Sequence, residues 1–186
     1  MAIKIYVDQG HNPVNPNAGA EGNGLREQDL VYSIGRRLAD LLRANPDYEV
    51  RLSRPTRQTQ LGTTTSTSLS ARVNEANQWG ADYFISLHTN AASSPSASGT
   101  EAYAYARGTE AFRFGEAILD SLTAVTGLRN RGMKARPGLY VLRRTQMPAV
   151  LLELGFITNP GDAALMRDDP GLFAEGIYRG ILAFTE

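Results

Sequence analysis

The 186-residue sequence contains no cysteine, two histidines and one tryptophan, and its formal net charge is zero. The absence of cysteine excludes disulfides, thiolate metal sites and a cysteine nucleophile, and it leaves the redox compartment open. The 19 Lys and Arg residues are balanced by 19 Asp and Glu residues, whereas a general nucleic-acid-binding protein shows a basic excess. We therefore expect no nucleic-acid partner.

Long apolar runs are also missing. No run approaches the ~20 residues that a transmembrane helix needs, so the sequence predicts no membrane-spanning segment. Residues 1–7 are typical of a strand, which leaves no room for a signal peptide with a basic region, an apolar core and a cleavage site.

The composition that remains is that of a globular protein. Apolar residues make up 42% of the chain and charged residues 20%, which is enough to fill one core. The length is close to the usual size of one domain and short for two. We therefore predict a single domain over residues 1–186.

Short apolar or alternating segments, bounded by Gly, Pro, Asn or Ser, predict strands at residues 3–7, 49–52, 83–87, 102–106, 139–142 and 150–154. Helical spacing of apolar residues, together with capping residues, predicts helices over residues 27–43 and 69–79, from Thr109 to Gly127, and after Asn159 and Asp169. Residues 63–68 and 93–98 are polar and predict loops. Strands that alternate with helices indicate an α/β domain with a largely parallel sheet.

Both histidines lie just beyond the ends of apolar strands, His11 after the first and His88 after the third. Ligands of open α/β sheets bind beyond the carboxyl ends of the strands, so the two imidazoles could meet at one site. The alternative is that each is a surface or hydrogen-bonded histidine.

Two carboxylates stand out for their positions. Glu153 lies inside an apolar run, where burial requires it to be paired, metal-bound or protonated. It could instead face solvent at the strand end or pair with an arginine. Glu27 lies in the first turn of a helix, where the helix dipole alone favours a carboxylate.

Taken together, these residues offer two imidazoles and a carboxylate, plus a second carboxylate. Three protein ligands and one open position are typical of catalytic zinc. Such a metal lowers the pKa of a bound water, and a nearby glutamate can accept the proton as general base. The helical His-Glu-x-x-His motif of many metalloproteases is absent.

Several segments, in this order and spacing, resemble the catalytic domain of zinc-dependent N-acetylmuramoyl-L-alanine amidases, bacterial and phage enzymes that cut the peptide off peptidoglycan. These segments are IYVDQGH (5–11), GAEG (19–22) leading to Glu27, SR (53–54), LSAR (69–72), AN (76–77), ADYFISLHTNA (81–91), GTEAY (99–103), YVLR (140–143) and PAVLLELGFITN (148–159).

The resemblance implies a twisted, mostly parallel sheet of about six strands flanked by helices, with His11, Glu27 and His88 as zinc ligands and Glu153 as the catalytic glutamate. It implies a hydrolase of the bond between N-acetylmuramic acid and L-alanine, acting on the cell wall as an autolysin or endolysin. Without a signal peptide, such a chain is secreted by another route, released by phage lysis or shortened. We expect a monomer.

The sequence departs from the family pattern in the first loop, where Gln9 replaces the usual proline and residues 12–17 replace the usual Gly and Asp. Asp8 is either an acceptor that orients His11 or a turn residue. We further expect Arg72, Asn90 and Arg143 to bind substrate.

A basic cluster comprises Arg129, Arg131, Lys134, Arg136, Arg143 and Arg144. It is either a solvated face or a site where one or two arginines bind carboxylates of the stem peptide.

Two alternative functions remain open on sequence grounds. One is a non-catalytic module that binds wall peptides, although such a member would be expected to lose Glu153 or a ligand. The other is a zinc carboxypeptidase acting on stem peptides, although that family pairs its first histidine with a glutamate three residues on, and position 14 here is valine.

Overall fold

The computed structural model describes residues 2–186. Its strands are β1 (Ile3–Gln9), β2 (Glu21–Gly22), β3 (Leu25–Arg26), β4 (Tyr48–Leu52), β5 (Tyr83–Asn90), β6 (Thr100–Ala104), β7 (Asn130–Ala135) and β8 (Ala149–Phe156). Its helices are α1 (Glu27–Ala44), α2 (Thr65–Trp79), α3 (Glu110–Thr126), α4 (Tyr140–Arg144), α5 (Pro160–Asp168) and α6 (Pro170–Thr185).

Six of these strands form one sheet in the order β4-β1-β5-β8-β6-β7, and β2 and β3 form a small antiparallel ribbon. All neighbours in the large sheet are parallel except β6 and β8. The prediction of a single α/β domain with a mostly parallel sheet is confirmed. Because β6 runs against β8, the start of β6 lies beside the end of β8.

Apolar side chains cover both faces of the sheet. On one face, α1, α3 and α6 pack over Val7, Ile85 and Leu152. On the other face, residues from α2 and α4 bury Phe84 and Leu151. The carboxyl ends of β1, β5 and β8 therefore extend from a rigid core at one edge of the molecule.

Two local predictions were wrong. Residues 139–142 do not form a strand, because they enter α4 and bury Val141 and Leu142 against α2 and β8. Residues 63–68 are not all loop, because α2 begins at Thr65. There, Thr64 and Thr67 form a reciprocal capping box that satisfies the first helical N–H groups.

Strand β7 was not predicted from the sequence. Met133 is the one buried side chain of this edge strand, so its sequence shows no alternation. Within residues 2–186, none of the helices combines the length and apolar character needed to cross a membrane.

Candidate active site

One row of the sheet carries three polar side chains on adjacent strands. His88 on β5 is opposite Glu153 on β8, and Glu153 is opposite Glu101 on β6. Side chains alternate between the two faces of a strand, and the residues two positions before His88 and Glu153 are Ser86 and Leu151. Leu151 belongs to the cluster on the α2 face, so the row lies on that face, just beyond the apolar core.

His11 and Glu27 approach His88, the first residue of this row, so that the side chains of all three meet. His11 Nε2 and His88 Nδ1 each lie 3.1 Å from Glu27 Oε1, and the two nitrogens are 3.2 Å apart. Donors held tetrahedrally at about 2.0–2.1 Å from a zinc ion lie about 3.3 Å from one another. The donor types and their spacing therefore fit one zinc ion.

The backbone places each of these donors. His11 has a positive φ of 66°, a conformation that is costly for a residue other than glycine and recurs at functional sites. Gly10 lets His88 approach, because a Cβ there would lie 2.6 Å from His88 Nε2. Glu27 is the first residue of α1, and its carboxylate accepts hydrogen bonds from the backbone N–H groups of Ala20 and Thr89.

Contacts with the two histidines keep Glu27 ionised. Burial alone would raise the pKa of the Glu27 carboxyl, but hydrogen bonds and charge from His11 and His88 hold that pKa well below its ordinary value. An anionic carboxylate flanked by two imidazoles is the state that can ligate a divalent cation.

Glu153 is different, because its Oε2 is buried and has no hydrogen-bond partner within residues 2–186. Burial and the negative charges of Glu27 and Glu101 raise the pKa of Glu153 to about 8. A carboxyl group that titrates near neutral pH beside a metal site can exchange a proton with a substrate.

Glu101 was not predicted as a site residue. It is 4% exposed, and its carboxylate accepts hydrogen bonds from Asn90 Nδ2, Arg131 Nε, the Lys134 ammonium and the Tyr103 hydroxyl. Burial raises the pKa of Glu101, but these donors outweigh burial and lower it. The available sequence signal was a glutamate one residue before the fully buried Ala102.

Arg72 requires a correction, because it is 1% exposed and cannot lie on a substrate-binding surface. Its guanidinium donates to Asp8 Oδ1 at 2.6 Å, to the Gln9 carbonyl at 2.7 Å and to the His11 carbonyl at 2.7 Å. Arg72 therefore positions the loop that carries His11. Asp8 lies in β1 and accepts from Arg72 and Ser86, so it is neither a turn residue nor bonded to His11.

The other two expected substrate contacts have different surroundings. Asn90 is half-buried and donates to Glu101 at the edge of the site. Arg143 is exposed in α4, whose last residue, Arg144, accepts from Asn77 near the end of α2. The structure therefore places Asn90 beside Glu101, whereas Arg143 forms no side-chain hydrogen bond or ion pair with the described site residues.

Gln9, which replaces the proline usual in the family, is fully buried. Its side-chain oxygen accepts from Arg54 N at 2.9 Å, and its backbone N–H donates to the Ser53 hydroxyl. The side chain fits because residue 35 of α1 is glycine, where a Cβ would lie 2.6 Å from Gln9 Cγ. Gln9 thus joins the end of β1 to the segment after β4.

A mostly parallel α/β sheet that brings two imidazoles and a carboxylate to one point, beside a second carboxyl group with a raised pKa, defines a candidate metallohydrolase. A sequence profile of the N-acetylmuramoyl-L-alanine amidase family matches residues 5–183, and the chain belongs to that family.

Individual relatives agree with this assignment. N-acetylmuramoyl-L-alanine amidase CwlM of Bacillus licheniformis is 36% identical over 180 residues, covering 96% of this chain and 65% of CwlM. The endolysin of Bacillus phage SPP1 is 34% identical over 190 residues, covering 97% of this chain and 65% of the endolysin. A crystal structure of an N-acetylmuramoyl-L-alanine amidase from Clostridium difficile 630 has a TM-score of 0.88 at 28% identity, covering 98% of this chain and 96% of that one. This chain therefore spans just under two thirds of both curated relatives.

Proposed function

We propose that this chain is a zinc-dependent amidase that hydrolyses the bond between N-acetylmuramic acid and the L-alanine of the peptidoglycan stem. The observation that carries the proposal is the convergence of His11, Glu27 and His88 within hydrogen-bond distance of one another, next to Glu153. Family membership supports the choice of bond. Peptidoglycan is the proposed partner, the cell wall the proposed place of action, and a monomeric catalytic domain over residues 1–186 the proposed unit.

Three residues would hold the metal: His11 through Nε2, His88 through Nδ1 and Glu27 through its carboxylate. When bound, Zn²⁺ supplies Lewis-acid polarisation of the scissile carbonyl and lowers the pKa of water. Arg72 fixes the His11 carbonyl, and the N–H of Thr89 fixes Glu27, so both ligands are preorganised.

Glu153 would move the proton. Its carboxylate accepts a proton from the attacking water and passes it to the nitrogen of the leaving L-alanine. In the metal-free protein the pKa of Glu153 is about 8, and a zinc cation held by the neighbouring ligands would lower it towards the ionised form that accepts a proton. Because Oε2 has no hydrogen-bond partner within residues 2–186, no competing donor has to be displaced.

The bond that is cut is tested by digesting purified peptidoglycan and analysing the products by mass spectrometry. We expect intact stem peptides with a new L-alanine amino terminus and uncut glycan chains. Release of free D-alanine, or shortened peptides still attached to muramic acid, would instead identify a carboxypeptidase. Binding to the wall without any product would identify a binding module.

The roles of the residues are tested by variants with matched zinc analysis. His11→Ala and His88→Ala should lose the metal, because two remaining protein ligands hold zinc weakly. Glu153→Gln should retain zinc and lose activity by about 10²-fold or more, whereas Glu27→Gln should weaken zinc retention. The exposed Glu116→Gln is the control. Full zinc occupancy in both histidine variants would refute the ligand assignment, and near wild-type turnover of Glu153→Gln would refute its role as base.

A further inference from the structure

Three cations follow one another along the strand next to the one that carries Glu101. Arg131 and Lys134 of β7, with Arg136 just after it, form a group that we call the cationic strip. Lys134 and Arg136 are two residues apart, and Arg136 N continues the strand pairing by donating to the Ala104 carbonyl at 2.8 Å. Both side chains therefore point to the same face.

Glu101 and Tyr103, on the neighbouring strand β6, contact the side chains of the cationic strip. Arg131 Nε and the Lys134 ammonium bond the Glu101 carboxylate, and the Arg136 guanidinium stacks 5.2 Å above the Tyr103 ring. The Tyr103 hydroxyl itself donates to Glu101. One buried carboxylate and one aromatic ring thus fix all three cations.

The strip keeps positive charge after this pairing. Three cations face one anchoring carboxylate, and an ionised Glu153 would still leave a surplus of one positive charge. Side-chain exposure is 38% for Lys134 and 30% for Arg131, and Arg136 is exposed. Arg131 also donates to the Ser98 carbonyl and stacks on Phe156. Among residues 2–186, no side-chain hydrogen bond or ion pair engages the Arg136 guanidinium.

The distance from Glu153 indicates what this surplus charge can bind. β7 lies two strands from β8, and Lys134 reaches back to Glu101 on the strand between them, so its ammonium is roughly 5–10 Å from Glu153. An extended peptide advances about 3.3–3.6 Å per residue. The Lys134 ammonium is therefore separated from the Glu153 carboxyl group by a distance that about one to three extended peptide residues span.

We propose that Lys134 and Arg136 form a subsite that binds a free carboxylate on the second residue of the stem peptide, with Glu101 and Tyr103 as positioning residues. The inference rests on the proposed function and adds a substrate requirement to it. Two cations on the same face of β7 select a carboxylate over a neutral carboxamide, because only the anion gains charge-assisted hydrogen bonds. Substrates amidated at this position lose those bonds and should be cut less efficiently.

The test uses the zinc-loaded protein and two soluble muramoyl peptides that differ only in a carboxylate or a carboxamide on the second stem residue. We expect wild-type kcat/KM to be about tenfold or more higher for the carboxylate, with most of the difference in KM. Equal kcat/KM for the two peptides would overturn the subsite and leave the amidase proposal standing. Hydrolysis of neither peptide would contradict the amidase proposal itself.

Variants test which residues cause the preference for the carboxylate peptide. Arg136→Ala and Lys134→Gln should lose activity on the carboxylate peptide alone, so the ratio of kcat/KM for the two peptides should fall to about one to three. Lys134→Arg keeps the positive charge and should retain most of the wild-type ratio. Arg144→Ala, another exposed cation of the same basic cluster, is the control. If Lys134→Gln does not fold, Arg136→Ala decides, because that side chain only stacks on Tyr103. Retention of the full preference in Arg136→Ala would overturn the proposal.

Discussion

Glu153 and Glu101 face each other across neighbouring strands, yet their carboxyl groups differ in ionisation. Burial raises the pKa of both. Hydrogen bonds from Lys134, Tyr103 and Arg131 lower the pKa of Glu101 below its ordinary value. Glu153 Oε2 has no hydrogen-bond partner within residues 2–186, and the pKa of Glu153 is about 8. Hydrogen-bond donors therefore keep Glu101 charged, whereas burial and two neighbouring negative charges favour the protonated form of Glu153.

This difference predicts a pH-dependent stability for the metal-free protein. The Glu153 carboxyl binds its proton more tightly when folded than when unfolded, because its pKa rises from 4.5 to about 8. The contribution of the Glu153 carboxyl group to the free energy of unfolding is therefore lost as the pH rises from about 4.5 through 8. Glu153→Gln removes that loss, because glutamine does not titrate. The free energy of unfolding of the variant, relative to that of wild type, should therefore grow by on the order of 3–5 kcal/mol across this range.

Urea unfolding of metal-free protein at a series of pH values measures this effect, with the exposed Glu116→Gln as the control. A constant difference between Glu153→Gln and wild type from pH 5 to 9 would contradict the raised pKa.

Among the elements, α3 and α6 approach each other closely through small residues. A Cβ at Gly180 would lie 2.4 Å from Ile118 Cα, and one at Gly176 would lie 2.8 Å from Leu122 Cα. Both contacts involve backbone atoms, which cannot be relieved by a rotamer change. Helix α3 packs directly on β8, the strand that carries Glu153, and α6 packs on α3.

Gly180→Ala should therefore reduce the free energy of unfolding by about 2 kcal/mol or more. Gly171→Ala, in the first turn of the same helix, meets nothing within 4 Å and should be neutral or stabilise by a few tenths of a kcal/mol. Denaturant unfolding of the two variants measures the contrast. Equal stability of the two alanine variants would show that the helices separate at no cost.

Elements with a strong local pattern could be predicted, and those made by tertiary contacts could not. Helix α3 was predicted with its cap residues Thr109 and Gly127, because capping is a local interaction. The short apolar stretch at 139–142 is compatible with a strand or a helix, and packing against α2 decided for the helix. Strand β7 gains its hydrogen bonds from β6 and buries Met133, which no sequence period reveals.

Site residues divide in a similar way. His11 and His88 were chosen because they follow apolar strands, and Glu153 because it lies inside an apolar run. The structure brings all three to one edge of the sheet. Arg72 was expected to bind substrate, but it is buried. Its burial depends on the loop carbonyls of residues 9 and 11, which come together only in the folded chain.

For the molecule as a whole, the apolar core and the candidate metal site are separate. The two hydrophobic clusters fill both faces of the sheet, and the donor atoms of His11, Glu27 and His88 lie beyond their edge. Loss of a metal should therefore leave the core intact, while removing the stabilisation that a ligand gives to the folded state alone.

We expect chelator-treated protein to keep its far-UV circular dichroism and to melt about 5–10 °C lower than the zinc-loaded form. His88→Ala should melt at the same temperature with or without chelator, which makes it the control. Loss of the circular dichroism signal on chelation would show that folding itself depends on the metal.

The position of β7 at the end of the sheet has a consequence for solubility. An edge strand presents unpaired N–H and C=O groups to which a strand of another molecule can add. Arg131 and Lys134 place two positive charges along that edge, and Glu49 and Arg51 place charges along β4, the opposite edge. Charged side chains on edge strands oppose such addition. Lys134, which we propose to select the substrate, therefore also contributes a charge that opposes the addition of a further strand at this edge.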